Sequence, residues 1–282
     1  MSLPIILSSV QVEPLLKAKK QGHPSVEISP DLGLTTVTVT LTPKGVEFPN
    51  GERLNWHNAE KISKSKVNCY IMEGDAIRPI QVFSEYTNRM CSLMPTRGAP
   101  SMLIAGFVMH RIKDIDPMQD TLRKIAAIAP ISGLVLDTAT GLGYTAIEAC
   151  KNAEEVVTIE LDPGVQEIAR LNPWSQALFN NPKIHQLMGD AYEVVQTFEH
   201  ESFSRIIHDP PTFSLAGELY SGAFYQQLFR ILKRGGRLFH YIGDPNSKAS
   251  GGVTKGALRR LQEAGFARVK RIPAAFGVVA YK

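Results

Sequence analysis

The chain has 282 residues, of which 44% are hydrophobic and 21% charged, so it is long enough for a substantial core and for two domains. Its net charge of +4 is too small to indicate a nucleic-acid-binding protein by itself. Three cysteines lack metal-ligand spacing, the seven histidines form no metal motif, and no apolar run approaches ~18 residues. We therefore expect a cytoplasmic protein without a disulfide framework, a metal or a membrane partner.

The region 1–113 has the pattern of a small β-rich domain. The stretch 34–41 is rich in β-branched residues, with threonine and valine alternating over 36–40, and Asn50-Gly51 forms the centre of a predicted turn. Pro79 has no N–H, which places its strand at a sheet edge or makes it the first residue of a strand. The predicted elements are a β-meander over 25–56, a short helix over 58–62, and strands over 67–72, 77–83 and 102–109, the last with a glycine bend.

The region 114–282 alternates between apolar runs of strand length and helical patterns, which is typical of a parallel α/β sheet. Asp116-Pro117 supplies an N-cap and a proline at the first helical position, so a helix is predicted to begin there and to end before Pro130. Its predicted apolar face is formed by Met118, Leu122, Ile125 and Ile128. Further strands are predicted near 133–138, 155–160, 184–188, 204–208, 237–242, 266–271 and 276–281, and helices over 220–233 and 254–264.

One stretch, 134–146, has the pattern of a strand, a glycine-containing loop and the start of a helix. Asp137 ends the strand, and Gly141 and Gly143 allow the backbone to approach a ligand closely, next to the N–H groups of the helix N-terminus. Glu160 ends the following strand, ~20 positions further on, where an acidic residue suits a ribose diol. These positions predict a nucleoside-binding site.

The pattern Asp137-x-Ala139-x-Gly141-x-Gly143 resembles the S-adenosylmethionine site of class I methyltransferases, with alanine in place of the first glycine. The resemblance implies an α/β, Rossmann-like, mostly parallel sheet with a C-terminal antiparallel hairpin, and S-adenosylmethionine as cofactor, with S-adenosylhomocysteine as product. In that family, carboxylates at the positions of Asp137 and Asp190 meet the methionyl amine and the adenine amino group. The implied cofactor-binding residues are Asp137, Thr138, Ala139, Thr140, Gly141, Gly143, Tyr144, Glu160, Leu161, Gly189, Asp190, Ala191 and His208.

Other interpretations of these residues remain open. Gly141-x-Gly143-x-x-Ala146 also fits a dinucleotide fingerprint, although Asp137 would repel a pyrophosphate. A loop that binds no ligand is a further alternative. Asp190 is also a good N-cap for the helix that follows it, and His208 is also a packed strand-end histidine.

The fourth strand of the predicted sheet is followed by Asp209-Pro210-Pro211-Thr212-Phe213, in which two prolines make a stiff loop. The loop resembles the Asp/Asn-Pro-Pro-aromatic motif of methyltransferases that modify amino groups on bases, and the loop of some ribosomal-RNA methyltransferases, but its aromatic residue comes one place late. The resemblance implies catalytic roles for Asp209, Pro210, Pro211 and Phe213, in which the carboxylate orients an amine and accepts its proton. A rigid capped turn is the alternative.

Several residues beyond the fifth strand are predicted to face the same site. Tyr241, Asp244 and Asn246 follow that strand directly. Lys248 and Lys255 flank a predicted flexible loop over 250–252, where they suit either an anionic substrate or solvent.

The order of elements over 133–245 also resembles spermidine synthases, which share this fold and use decarboxylated S-adenosylmethionine. Asp162-Pro163 and the segment 219–225 carry this likeness, whereas the Gly-Gly-Gly-Asp-Gly loop of those enzymes is replaced by Thr-Ala-Thr-Gly-Leu-Gly. The sequence is therefore compatible with three functions. They are a methyltransferase acting on RNA or a small metabolite amine, a polyamine aminopropyltransferase, and a non-catalytic S-adenosylmethionine-binding module. The N-terminal domain would cap the site, recognise substrate or form a homodimer contact.

Overall fold

A computed structural model describes residues 4–243 and 250–282. The chain divides into two compact units, Met1–Met118 with Gly164–Gln176, and Gln119–Pro163 with Ala177–Lys282. Among the described residues, no helix has the length and apolar character that a membrane span requires. Asp244, Asn246 and Lys248 lie outside the described residues.

The first unit is rich in short strands, as the sequence predicts. Over residues 4–118 they form three antiparallel sheets, with the strand orders β1-β6-β7, β2-β3-β4-β5 and β8-β9-β10-β11. The elements are β1 (Ile6–Leu7), α1 (Ser9–Lys20), β2 (Ser25–Ile28), β3 (Val37–Thr42), β4 (Gly45–Glu47), β5 (Arg53–Asn55), α2 (Trp56–Lys64), β6 (Tyr70–Glu73), β7 (Ala76–Pro79), β8 (Gln81–Ser84), β9 (Arg89–Met94), β10 (Ser101–Ile104) and β11 (Phe107–Val108). Pro79 lies in an edge strand, where its missing N–H interrupts no ladder.

Helix α1 is absent from the predicted elements. It begins with a capping box, in which the Ser8 hydroxyl accepts from the Val10 amide at 3.2 Å and the Gln11 side chain accepts from the Ser8 amide at 3.1 Å. Pro14 lies inside the helix. Because proline is expected to break a helix interior, the sequence does not predict a helix here. Proline cannot donate a backbone hydrogen bond inside the helix. Burial of Val12 and Leu15 in the core of this unit offsets the loss of that bond.

The single bent strand predicted over 102–109 is wrong, because the segment is a hairpin of β10 and β11. Ala105 and Gly106 both have positive φ, at 49° and 83°, so the backbone reverses within two residues. Leu103 then pairs with Val108 across the turn. The glycine therefore marks a chain reversal rather than a bend.

The remaining helices and strands belong mainly to the second unit, except for the helix Pro163–Leu171, which belongs to the first from Gly164 onward. They are α3 (Pro117–Ala127), β12 (Leu134–Asp137), α4 (Tyr144–Cys150), β13 (Glu155–Glu160), α5 (Pro163–Leu171), α6 (Gln176–Asn180), β14 (Ile184–Met188), α7 (Ala191–Val194), β15 (Phe203–His208), α8 (Gly222–Ile231), β16 (Leu232–Tyr241), α9 (Ser250–Glu263), β17 (Arg268–Ile272) and β18 (Gly277–Tyr281). Helix α9 begins at Ser250, so the segment predicted as a flexible loop over 250–252 is its first turn.

Seven strands among the described residues form one sheet in the order β14-β13-β12-β15-β16-β18-β17. All neighbours are parallel except those of β18, which runs antiparallel to β16 and β17. The fold predicted from the sequence, a mostly parallel sheet with a C-terminal antiparallel hairpin, is confirmed. The chain order reverses at β12, which pairs with β13 on one side and β15 on the other. Ligands of open α/β sheets bind beyond the strand ends at such a position.

Helix α3 buries only part of its predicted apolar face: Ile128, just beyond its end, is buried, and Met118 and Ile125 are partly buried. Leu122 is 48% exposed, whereas the polar residues Asp120, Thr121 and Lys124 are buried. Asp116 does cap the helix, since its Oδ1 accepts from the Met118 amide at 2.8 Å. The polar face is buried because Lys124 forms ion pairs there, which a hydrophobic pattern does not reveal.

Candidate active site

Asp137 lies at the end of β12 and is fully buried. Its Oδ2 accepts hydrogen bonds from the hydroxyls of Thr145, at 2.8 Å, and Thr158, at 3.3 Å. Its Oδ1 is buried and has no hydrogen-bond partner among the described residues. Burial raises the pKa of Asp137 to about 7, against the opposing effect of the Thr145 hydrogen bond. An unsatisfied buried carboxylate oxygen is costly, so Oδ1 suits a donor that a ligand supplies, such as an ammonium group.

The loop 138–143 is held by its own backbone and by neighbouring strands. The Thr140 amide donates to the Ile159 carbonyl at 2.9 Å, and the Gly143 amide donates to the Thr140 carbonyl at 2.7 Å. Gly143 has φ +77°, and a Cβ there would lie 2.7 Å from Leu178. Gly141 also has positive φ, but no other residue would lie within 4 Å of a Cβ at that position. Packing therefore requires glycine at 143, whereas the space beside Gly141 is open to a ligand.

Glu160 joins this loop to the end of β13. Its Oε2 accepts from the Gly141 amide at 2.9 Å, and its Oε1 accepts from the Asp162 amide at 3.0 Å. Burial raises the pKa of Glu160 to about 7, although both amide hydrogen bonds oppose that rise. Each carboxylate oxygen can accept a second hydrogen bond, so a ribose diol is compatible with these contacts. Leu161, the next residue, is exposed.

The segment 189–191 follows β14. The Gly189 amide donates to the Glu160 carbonyl at 2.8 Å, which places this segment beside the end of β13. Asp190 is the N-cap of α7, since its Oδ1 accepts from the Tyr192 amide at 2.8 Å. Capping uses one oxygen of the carboxylate, and contact with an adenine amino group stays a prediction.

His208 is fully buried at the end of β15, and both of its ring nitrogens bond to protein groups. The Nε2–H donates to the Leu219 carbonyl at 2.9 Å, so Nδ1 accepts from the Thr138 hydroxyl at 2.7 Å. Burial lowers the pKa of His208 to about 3, which keeps the ring neutral. The ring of His240 lies against it with centroids 4.4 Å apart. The ring is therefore packed rather than available as a base, and its cofactor contact stays a prediction.

The loop after His208 is held against a nearby tyrosine. The Tyr220 hydroxyl donates to the Pro211 carbonyl at 2.9 Å, and Pro210 is buried. The Phe213 ring meets the Tyr220 ring edge-on, with centroids 5.5 Å apart, yet Phe213 is 54% exposed. The loop therefore presents an apolar aromatic surface close to Asp209.

Asp209 belongs to a three-residue group, Asp120, Lys124 and Asp209, here called the Lys124 cluster. Lys124 Nζ lies 2.6 Å from Asp209 Oδ2 and 2.9 Å from Asp120 Oδ2, and 4.9 Å from the centroid of the Tyr241 ring. The side chains of Asp120 and Lys124 are 0% and 3% exposed, whereas that of Asp209 is 20% exposed. Asp209 is therefore the member that a substrate can reach.

The charges of the Lys124 cluster are set by burial and by mutual attraction. Burial would lower the pKa of Lys124, but the carboxylates of Asp209 and Asp120 raise it above its ordinary value. Lys124 is thus a fixed ammonium at neutral pH and not a base. Burial raises the pKa of Asp209, against the lowering effect of Lys124.

Sequence reasoning missed Asp120 and Lys124 as members of the site. Their i, i+4 spacing on a helix is that of an ordinary surface ion pair. Asp209 is 85 residues away from Lys124 along the chain. Only the folded sheet brings them together.

Comparison with known proteins relates the chain to one family. Residues 120–268, more than half of the chain, match the family model of the spermine/spermidine synthase domain. The chain is 44% identical over 248 residues to the uncharacterized protein MJ1233 of Methanocaldococcus jannaschii. The aligned residues cover 87% of this chain and 84% of that protein. It is 32% identical over 122 residues to the polyamine aminopropyltransferase of Mycobacterium tuberculosis (strain H37Rv), covering 41% of this chain and 23% of that enzyme.

A solved structure shows the same fold. The crystal structure of a spermidine synthase in complex with the transition state analogue AdoDATO matches with a TM-score of 0.59, over 73% of this chain and 74% of that chain, at 21% identity. At this identity the likeness concerns the fold.

Proposed function

The chain belongs to the spermine/spermidine synthase domain family, and we propose that it is a transferase that moves the methyl group of S-adenosylmethionine to an acceptor beside Asp209. The main support for a sulfonium nucleoside as ligand comes from Oδ1 of Asp137. This oxygen is fully buried, has no hydrogen-bond partner among the described residues, and lies where the strand order of the sheet reverses. An ammonium group satisfies that oxygen and neutralises its charge. A pyrophosphate would do neither.

The cofactor supplies a methyl group that its positively charged sulfur makes electrophilic. Asp137 would hold the methionyl ammonium, Glu160 the ribose hydroxyls, and Asp190 the adenine amino group. The open space beside Gly141 supports close approach of the nucleoside to the loop. Buried Tyr144 and the residues Thr138, Ala139 and Ala191 complete the proposed cofactor site by position.

Asp209 would act on the acceptor. It directly follows β15, and its partly exposed carboxylate can orient an acceptor hydrogen. As the bond from the acceptor atom to the transferred carbon forms, that hydrogen must leave as a proton. The raised pKa of Asp209 favours proton uptake by this carboxylate. Pro210 and Pro211 limit the loop conformations, and Phe213 offers an apolar surface to the acceptor.

Aminopropyl transfer from decarboxylated S-adenosylmethionine is the second candidate. It is favoured by the family match and by the relative named a polyamine aminopropyltransferase. Asp137 does not discriminate between S-adenosylmethionine and its decarboxylated form, because both cofactors carry the ammonium group. The loop 138–143, however, contains no carboxylate, and Asp209 is already paired with Lys124. These two features favour methyl transfer.

Calorimetry with both cofactors, followed by product analysis, tests the proposal. The protein is titrated with S-adenosylmethionine and with its decarboxylated form, and then incubated with polyamines, nucleosides and transfer RNA as acceptors. We expect tighter binding of S-adenosylmethionine and release of S-adenosylhomocysteine. Binding of the decarboxylated form alone, with methylthioadenosine as product, would establish aminopropyl transfer instead. Binding without any product would favour a non-catalytic module.

Glu160→Ala is expected to weaken S-adenosylmethionine binding by about 1–3 kcal/mol, the scale of hydrogen bonds lost at a charged group. The loss includes the anchor of the Gly141 amide as well as the ribose contact. Glu155→Ala, at the exposed start of the same strand, is the matched control and should bind normally. Unchanged affinity in the Glu160 variant would contradict the ribose assignment.

Cofactor affinity is expected to rise with pH from 6 to 8. Burial raises the pKa values of Asp137 and Glu160 to about 7 in the unliganded protein, so both carboxyls bind protons below that pH. An ammonium ligand requires the ionised form of Asp137, so binding at pH 6 must release a proton, and each such proton changes affinity about tenfold per pH unit. Calorimetry in two buffers of different ionisation enthalpy counts the protons released. Asp137→Asn should weaken binding and reduce the slope, and a slope unchanged by this substitution would assign the titration elsewhere.

A further inference from the structure

Asp209, the partly exposed carboxylate of the proposed active site, is already paired with a cation, the ammonium group of Lys124. Lys124 Nζ donates a charge-assisted hydrogen bond to Asp209 Oδ2 at 2.6 Å and forms an ion pair with Asp120 Oδ2 at 2.9 Å. Its side chain is almost completely buried, and the ring of Tyr241 lies on another side of the ammonium. The ammonium therefore cannot swing into solvent without abandoning two carboxylates.

Two carboxylates facing one point form a natural site for an alkylammonium ion. In this chain the point is filled by a covalently tethered ammonium. A second ammonium brought to Asp209 would lie within a few ångströms of Lys124, where like charges repel strongly because the surroundings are shielded from water. A neutral donor meets no such barrier and can still bond to the partly exposed carboxylate of Asp209.

We propose that Lys124 is a specificity-determining residue that excludes acceptors with a charged aliphatic amine and restricts the reaction to an acceptor group that is neutral at pH 7. This inference rests on the proposed function and narrows its substrate class. Suitable acceptors are weakly basic nitrogens, such as an aromatic amine, and hydroxyl groups. Such a group keeps its lone pair available for attack, whereas a protonated aliphatic amine does not.

A purely structural ion pair is the competing explanation for Lys124. Buried ion pairs often contribute little to net stability compared with apolar side chains, so stability alone explains such a cluster poorly. The position of Asp209 on the stiff loop beside exposed Phe213 also indicates that the cluster opens toward a substrate. The two explanations differ in selectivity, because exclusion by charge predicts that removal of Lys124 creates affinity for polyamines while S-adenosylmethionine binding stays unchanged, whereas loss of a structural ion pair would also disturb the cofactor site.

The test titrates putrescine and spermidine into the wild-type protein and three variants. Lys124→Met removes the charge and keeps an unbranched side chain. Lys124→Arg keeps the charge and serves as the matched control. Lys124→Met with Asp120→Asn removes one carboxylate along with the ammonium, which lowers the charge imbalance should the single variant fold poorly. Circular dichroism establishes folding, and a parallel titration with S-adenosylmethionine reports on the cofactor site.

We expect no measurable polyamine binding to the wild-type and Lys124→Arg proteins, and an affinity at least about tenfold higher in the variants that lack the ammonium. Tight binding of spermidine to the wild type would overturn the proposal, whether or not any variant folds. Folded variants that bind polyamines no better than the wild type would overturn it as well. Failure of the proposed function is distinguishable, since it would appear as absent S-adenosylmethionine binding in the wild type.

Discussion

Asp209→Asn is expected to lower the turnover of S-adenosylmethionine about 10²–10⁴-fold while leaving its binding almost unchanged, because an amide can neither orient the acceptor as a carboxylate does nor take up its proton. Asp209 is the reachable carboxylate of the Lys124 cluster, and burial raises its pKa. Turnover is measured as S-adenosylhomocysteine release with the best acceptor found in the panel. Binding is measured by calorimetry.

Thr212→Ala is the matched control for Asp209→Asn. It alters the same loop, but the Thr212 hydroxyl bonds to Ser214 and not to the Lys124 cluster. This variant should keep turnover within a few-fold of the wild type, a change that corresponds to less than about 1 kcal/mol. If Asp209→Asn retained full turnover, the carboxylate would have no role in the chemistry. If it lost cofactor binding to the same extent as turnover, its role would lie in binding.

Lys124→Met is expected to lower the free energy of unfolding by about 3–5 kcal/mol, because it removes the ammonium that pairs with the buried carboxylate of Asp120 and the partly buried carboxylate of Asp209. The loss should shrink as pH falls from 8 to 5. Without the ammonium, burial holds the folded-state pKa of Asp209 above its unfolded value, so this contribution to stability is greatest at low pH and is lost as pH rises through the folded-state value. Urea unfolding followed by circular dichroism at each pH measures the effect.

Lys151→Met is the control for this second substitution. Lys151 lies 2.6 Å from Glu148, the same separation as that between Lys124 and Asp209, but the Lys151 side chain is 62% exposed, although that of Glu148 is only 10% exposed. Because solvent screens the lysine charge, this pair contributes at most about 1 kcal/mol, so its loss should be small and nearly independent of pH. Equal effects at the two lysines would show that burial does not set the strength of the Lys124 cluster.

Much of the fold was readable in the sequence because its signals are local. These signals are the alternation of threonine and valine over 36–40, Asp116-Pro117 at a helix start and the glycines after Asp137, and each acts over a few residues. The elements that escaped prediction are those whose local signals conflict. Pro14 concealed α1, and the positive φ of Ala105, an unusual conformation for alanine, concealed the hairpin of β10 and β11.

The candidate site, like the fold, could be predicted from the sequence only in part. Asp137, Glu160, Asp190 and Asp209 could be proposed from the sequence because each lies at or just beyond a strand end, and the carboxyl ends of parallel strands meet at one edge of the sheet. Their roles toward a ligand stay predictions. The unpartnered oxygen of Asp137 and the bonds of Glu160 to the loop depend on atoms brought together from separate strands.

Short-range patterns were sufficient to specify the strand–loop–helix unit at Asp137, the stiff loop at Asp209 and the alternation that produces the parallel sheet, since these follow from residue period, glycine, proline and capping within short segments. The charge at the proposed acceptor site, in contrast, depends on the assembled fold. Which face α3 buries is set by its neighbours and not by its own pattern, and Lys124 meets Asp209 only after the sheet has formed. Electrostatic environment is a property of neighbours in space, so a one-dimensional pattern could name the carboxylate but not its counter-ion.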